Sequence, residues 1–211
     1  ANVAPVITSN GGGGTASIAV AENTTAVTTV TATDAEGATL AYSIAGGADA
    51  GRFTINAASG ALGFLAAPDY ESPLDAGGNN VYEVTVQVSD GALTDTQVLS
   101  VTVTNVDEAP AITSDGGGAT ATIGIPENTT AVTTVTATDA EGATLGYSIT
   151  GGADAGRFTI NPITGALDFL AAPNHENPVD SDGDNVYDVV VKVSDGAGGS
   201  DIQAISVTVT N

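Results

Sequence analysis

The chain has 211 residues, of which 25 are Asp or Glu and only three are basic (Arg52, Arg157 and Lys192), for a net charge of −22. That balance argues against nucleic acid, whose recognition needs clustered Lys and Arg, and against an anionic membrane surface. With no cysteine there is no disulfide framework and no thiolate site. No apolar run approaches the roughly 18 residues of a membrane span. With no methionine, not even at position 1, the chain reads as a fragment or a processed form. The 42% hydrophobic content is patterned, so disorder is confined to the Gly-rich loops.

In chain order, the first element of note is a repeated one. Residues 22–40, ENTTAVTTVTATDAEGATL, recur unchanged at 127–145, an offset of 105 residues. The same offset relates Gly46–Asn56 to Gly151–Asn161, Asn80–Tyr82 to Asn185–Tyr187 and Ser89–Ala92 to Ser194–Ala197. One residue is inserted in the second copy, near Gly198–Gly199. A unit of this length is a domain rather than a solenoid repeat. The pattern predicts repeat 1 over 1–105 and repeat 2 over 106–211, with a linker at 105–110.

Within repeat 1, short apolar–polar alternations at Leu40–Ile44, Phe53–Ile55 and Leu62–Phe64 predict strands. Longer ones run from Tyr82 to Ser89 and from Leu99 to Thr104. Tyr187–Val193 and Ile205–Val209 repeat the long pair. Period 2, Val and Thr enrichment, and Gly or Asp turns predict antiparallel strands, about seven per unit, in an immunoglobulin-like sandwich. Ala57–Ala67 is no helix, because Gly60 and Gly63 interrupt it. In the linker, Pro110 biases Ala109 toward extended geometry, and six residues make a poor flexible tether.

The carboxylates are placed, not scattered. Glu22 and Glu127 precede strands. Asp34 and Glu36, repeated as Asp139 and Glu141, form acid-x-acid turns, as do Asp69 and Glu71. Asp90 and Asp195 each close a strand before Gly, and Asp107 and Glu108 lie in the linker. Converging carboxylates repel, and a divalent hard cation reverses that cost. Calcium takes six to eight oxygens, whereas zinc prefers the His and Cys that are scarce here.

Pro-Glu-Asn, Asp-Ala-Glu-Gly, Asp-Tyr-Glu, Val-Ser-Asp-Gly and Val-Thr-Val-Thr-Asn-Val-Asp-Glu-Ala-Pro together resemble the calcium motifs of cadherin repeats. They are more similar still to the bacterial cadherin-like repeats of secreted and biofilm adhesins, including rhizobial adhering proteins. The resemblance covers both copies and implies all-β, tandem Greek-key β-sandwiches with Ca2+ held between repeats. It implies ligands from Glu22, Asp69 and Glu71, from a carbonyl near Val106 with Asp107 and Glu108, and from Asp139, Glu141 and Asp195. Asp34, Glu36 and Asp90 at one end, and Glu127 and Glu176 at the other, would be half-sites whose complements belong to neighbouring repeats. The linker is one residue shorter than the animal form, as in bacterial versions. Asn174-His175-Glu176 replaces the Asp-x-Glu turn in repeat 2.

A second cluster, Asp180, Asp182 and Asp184, has the opening spacing of an EF-hand loop. Val191 stands where the closing Glu would be. The sequence leaves it open between a local calcium site and a solvated acidic turn. Arg52 and Arg157 are expected to pair with Asp49 and Asp154, and His175 to be an exposed loop residue. Catalysis is not expected, because the paired acids recur in both copies and aromatics make up only 4% of the chain. The expected role is that of a secreted or cell-surface spacer of tandem repeats stiffened by calcium. Calcium-dependent polysaccharide binding is the alternative.

Overall fold

The computed structural model describes all 211 residues, which divide into two compact units, Ala1–Val106 and Asp107–Asn211. Repeat 1 contains β1 (Val6–Ile7), β2 (Thr15–Ala21), β3 (Ala26–Thr29), β4 (Ala32–Thr33), β5 (Ala41–Gly46), β6 (Phe53–Ile55), β7 (Ala61–Phe64), β8 (Val81–Ser89) and β9 (Thr94–Thr104). A four-stranded sheet, β2-β9-β8-β5, faces a three-stranded sheet, β3-β7-β6, and β1 pairs with β4. The only helical turn of repeat 1 is Ala50–Arg52, whereas repeat 2 has two, Ser114–Gly116 and Ala155–Arg157.

Repeat 2 follows the same plan. Its strands are β10 (Ala111–Ile112), β11 (Thr120–Pro126), β12 (Ala131–Thr134), β13 (Ala137–Thr138), β14 (Gly146–Gly151), β15 (Phe158–Ile160), β16 (Ala166–Phe169), β17 (Val186–Ser194) and β18 (Ser200–Thr210). They form the sheets β11-β18-β17-β14 and β12-β16-β15, with β10 paired to β13.

The alternation that predicts β8 and β9 is the alternation of burial. Tyr82, Val84, Val86 and Val88 face inward on β8, and Leu99, Val101 and Val103 on β9. Phe53, Leu62 and Phe64 close the core from the other sheet. Phe53 stacks on Phe64 at a centroid distance of 4.6 Å, and Tyr82 meets Phe64 edge-on at 5.1 Å. The Tyr82 hydroxyl accepts the Leu74 N–H at 3.1 Å, so the buried phenol is not left unpaired. Tyr187 does the same for Val179.

Not every strand is antiparallel. β2 runs parallel to β9 (Thr15 opposite Val98, Ala21 opposite Thr104), and β11 runs parallel to β18. The first long strand and the last both run from the entry end of the repeat to its exit end. As neighbours in one sheet they can only be parallel. Local alternation carries no information about pairing sense, so the expectation of purely antiparallel strands is corrected here.

Gly60, just before β7, lies against the backbone of Val30, just after β3. It has φ +73°, and a Cβ there would fall on the Val30 carbonyl oxygen, while its own carbonyl accepts the Val30 N–H at 2.8 Å.

Candidate metal-binding ends

The exit end of repeat 1 is organised around Glu22. It follows β2 and is 2% exposed. Its Oε2 accepts the Tyr70 N–H at 2.7 Å and its Oε1 the Val106 N–H at 2.8 Å. Asp69 accepts the Ser72 N–H at 2.9 Å, which shapes the turn that carries Glu71. In repeat 2, Glu127 accepts the His175 N–H at 3.0 Å, and Asn174 accepts the Asn177 N–H at 3.0 Å in the manner of Asp69 without its charge. Glu176 accepts the Asn211 amide at 2.7 Å. His175 is half-buried rather than exposed, because its backbone is tied to Glu127 and to the Asn185 side chain.

The entry ends differ between the copies. In repeat 1, Asp34 Oδ1 accepts the N–H groups of Glu36 and Ala38 at 3.0 and 2.9 Å. Glu36 accepts the Val3 N–H at 3.2 Å. Asp90 Oδ1 accepts the N–H groups of Ala92 and Leu93, both at 2.7 Å, and its Oδ2 accepts the Asn2 amide at 2.8 Å. These donors, Leu93 and Ala92 foremost, hold the Asp90 carboxyl below the usual carboxylate range.

In repeat 2 the residues in place of Asn2 and Val3 are Asp107 and Glu108. The amide that neutralises the turn in repeat 1 is thus a carboxylate in repeat 2. Desolvation, and then the charges of Asp195, Glu141 and Asp139, push the Asp107 carboxyl above its ordinary value. Asp139 Oδ1 accepts the Ala143 N–H at 2.9 Å, and Asp195 Oδ1 accepts the N–H groups of Ala197 and Gly198 at 2.7 and 3.0 Å. Asp139 Oδ2, Asp195 Oδ2 and both oxygens of Glu141 are buried and accept nothing. The inserted Gly199 lets the β17–β18 hairpin close on Asp195. A Cβ there would meet the Asp195 carboxylate, and would lie 2.8 Å from Ala109 Cα. The entry end of repeat 2 therefore gathers four buried carboxylate oxygens, from Asp139, Glu141 and Asp195, that accept no hydrogen bond, which is the chemistry of a hard-cation site.

The second acidic cluster brings carboxylate oxygens of Asp180, Asp182 and Asp184 within 4.8 Å of one another. Asp180 Oδ2 accepts the Asp184 N–H at 2.8 Å, while its Oδ1 is buried and unpartnered. Burial acts upward on the Asp180 carboxyl, but the N–H groups of Asp184, Asp180 itself and Gly183 outweigh it, so it lies below the usual range. Asp182 is pushed up, first by the charge of Asp184. In repeat 1 the same turn is closed by its own backbone. Asp75 accepts the N–H groups of Gly77, Asn79 and Asn80, each at 3.0 Å.

The expected Arg52–Asp49 and Arg157–Asp154 ion pairs do not form. Asp49 is 6% exposed and accepts the N–H groups of Ala76 at 2.7 Å and Glu83 at 2.8 Å. Asp154 does the same for Ser181 and Asp188 at 2.7 and 2.9 Å. A buried carboxylate is better held by fixed backbone donors than by a mobile side chain at the surface. The arginines instead line shallow surface grooves, beside Leu65 and Leu74 in repeat 1 and beside Leu170 and Val179 in repeat 2. Sequence reasoning also passed over Gln97 and Gln203, both wholly buried. The available signal was a Gln on the inward register of an otherwise apolar strand.

Residues 16–104 match the cadherin domain family. Human Protocadherin Fat 1 is 34% identical over 140 residues, and rat Protocadherin Fat 2 is 31% identical over 145 residues. These alignments take in 62% and 64% of this chain. The chain spans about 3% of the length of each of these relatives. Among solved structures, human Protocadherin-24 EC1-2 aligns over 100% of this chain and 99% of its own, with TM-score 0.58 and 20% identity. Mouse Cadherin-23 EC22-24 aligns over 100% of this chain and 67% of its own, with TM-score 0.54 and 20% identity. The fold is that of two tandem cadherin-like β-sandwich domains.

Proposed function

We propose that this chain is a calcium-binding segment of an extracellular adhesion protein, in which calcium orders tandem repeats so that they serve as a spacer. The observation that supports this is the entry end of repeat 2. There Asp107 is raised by desolvation and then by its acidic neighbours, and four oxygens of Asp139, Glu141 and Asp195 are buried without donors. A divalent cation would convert that repulsion into binding energy for the folded repeat alone. Asp107, Glu108, Asp139, Glu141 and Asp195 are its proposed ligands.

Glu22, Asp69, Glu71 and the Val106 carbonyl are proposed to serve the same ions on the sequence argument, since only the six residues from Asn105 to Pro110 connect the two sets. The short linker favours a secreted or surface adhesin of the bacterial cadherin-like kind as the parent protein.

The test is calcium titration by calorimetry, with thermal melting before and after chelation, on wild type and on a Glu141→Gln, Asp195→Asn double variant. Wild type is expected to bind calcium and to melt lower once chelated, and the double variant to lose most of both effects. No binding heat together with an unchanged melting temperature overturns the proposal. Small-angle scattering unchanged by chelation overturns the spacer role alone. Calcium-dependent retention on a polysaccharide matrix would move the reading to the lectin-like alternative.

A further inference from the structure

Gln97 and Gln203 hold equivalent places in the two repeats, and each is 0% exposed. Each uses its Nε2 donors on the Gly-rich loop that follows the first short strand. Gln97 donates to the carbonyls of Ser9 at 3.5 Å and Gly13 at 3.0 Å. Gln203 donates to those of Ser114 at 3.4 Å and Gly118 at 2.9 Å. Two carbonyl partners fix which end of the carboxamide carries the oxygen.

The two oxygens then meet different fates. In repeat 1, Gln97 Oε1 accepts the Asn10 side-chain amide at 3.4 Å. In repeat 2, Gln203 Oε1 is buried and has no partner. One residue accounts for the difference, because Asp115 stands where repeat 1 has Asn10. Both sit in the left-handed region, at φ +51° and +53°. Both reach the equivalent threonine. Thr28 Oγ1 donates to Asn10 Oδ1 at 3.1 Å, and Thr133 Oγ1 lies 3.1 Å from both Asp115 oxygens. Asp115 is thus placed like Asn10, but a carboxylate has no proton to give.

We propose that the loop of residues 114–118 in repeat 2 binds a hard cation of the calcium class between the Asp115 carboxylate and Gln203 Oε1, where repeat 1 uses the Asn10 amide. The set is made of acceptors, carries a negative charge, and shares one hydroxyl proton from Thr133. The nearby Asp201 is occupied, since it accepts the N–H groups of Ile112 at 2.9 Å and of Ile202 at 2.8 Å. A bridging water would supply protons to the oxygens but leave the charge on a chain already at −22. A cation satisfies both. With Asp115 exposed, water completes the coordination shell, and the affinity belongs to the weak extracellular range, about 10⁻⁴–10⁻³ M.

The experiment counts bound calcium by equilibrium dialysis and native mass spectrometry for wild type, Asp115→Asn and Asn10→Asp. Each is repeated in an Asp195→Asn background, so that loss of the entry-end site leaves the comparison intact. Wild type is expected to hold one calcium more than Asp115→Asn, and Asn10→Asp to hold one more than wild type. Asp115→Asn should also melt higher than wild type without calcium and lose that advantage with calcium present. Equal counts in wild type and Asp115→Asn overturn the proposal. So does a melting advantage that is the same with and without calcium, which is the signature of a bridging water. Should Asn10→Asp fail to fold, the wild-type and Asp115→Asn comparison decides alone.

Discussion

Glu22 Oε1 accepts the backbone N–H of Val106 at 2.8 Å, so a carboxylate at the end of β2 fastens the last residue of its own unit. The other oxygen holds Tyr70. Removing a buried acceptor strands its donors. Glu22→Ala is expected to destabilise repeat 1 by about 2–4 kcal/mol, and Glu22→Gln by less, since the amide oxygen still accepts one of the two bonds. Chemical denaturation followed by hydrogen exchange at the Tyr70 and Val106 amides measures this. Unchanged protection at both amides in Glu22→Ala would contradict it.

The Asp49 and Arg52 assignments separate cleanly by mutation. Asp49→Ala leaves the Ala76 and Glu83 N–H groups unpaired inside the repeat and is expected to cost about 2–4 kcal/mol. Arg52→Ala removes an exposed side chain with no ion pair and should stay within about 0.5 kcal/mol of wild type. Equal losses from the two substitutions would restore the ion pair that the structure lacks.

The two entry ends should respond to acid in opposite directions. The Asp90 carboxyl is held low, so its contribution is present above the ordinary carboxylate value and is lost as pH falls through the depressed one. The Asp107 carboxyl is held high, so the folded repeat takes up its proton first. Calcium-free stability therefore rises as pH falls through that raised value toward the ordinary one. Asp107→Asn should flatten the second trend, raise the calcium-free melting temperature of repeat 2 at neutral pH by a few degrees, and weaken calcium binding about tenfold. Melting curves across acid pH, with and without chelator, check all three.

Gly60→Ala places a methyl group on the Val30 carbonyl at a positive φ, and a cost of about 2–4 kcal/mol is expected. Gly46→Ala, where a Cβ meets nothing within 4 Å and φ is not positive, is the control and should be nearly neutral. A melting temperature for Gly60→Ala within a degree of wild type would show that the backbone between β3 and β7 can yield there.

Much of this architecture is legible from the residues. The inward faces of β8 and β9 are spelled out by alternation, because a pleated strand buries every second side chain whatever it pairs with. The identical 19-residue segment declares two copies of one fold. The order of the acidic turns is the sequence feature on which the calcium proposal rests. β2 is less visible, because Thr15–Ala21 is written mostly in small residues that signal neither face strongly.

What only the tertiary structure decided concerns partners. The residues name Glu22 as a carboxylate, but folding brings it to Tyr70, 48 positions away, and to Val106, 84 positions away. Asp49 is an ordinary acid until β8 and the Leu74–Asn80 turn surround it with N–H groups in place of Arg52. The parallel sense of β2 and β9, and the unpartnered oxygen of Gln203, are likewise invisible locally. Side-chain periodicity is set within a strand. Hydrogen-bond satisfaction is set by whichever distant backbone the fold delivers, and in this chain that separates the carboxylates of Glu22 and Asp49, held by backbone N–H groups, from the oxygens of Asp139, Glu141 and Asp195 that accept no hydrogen bond.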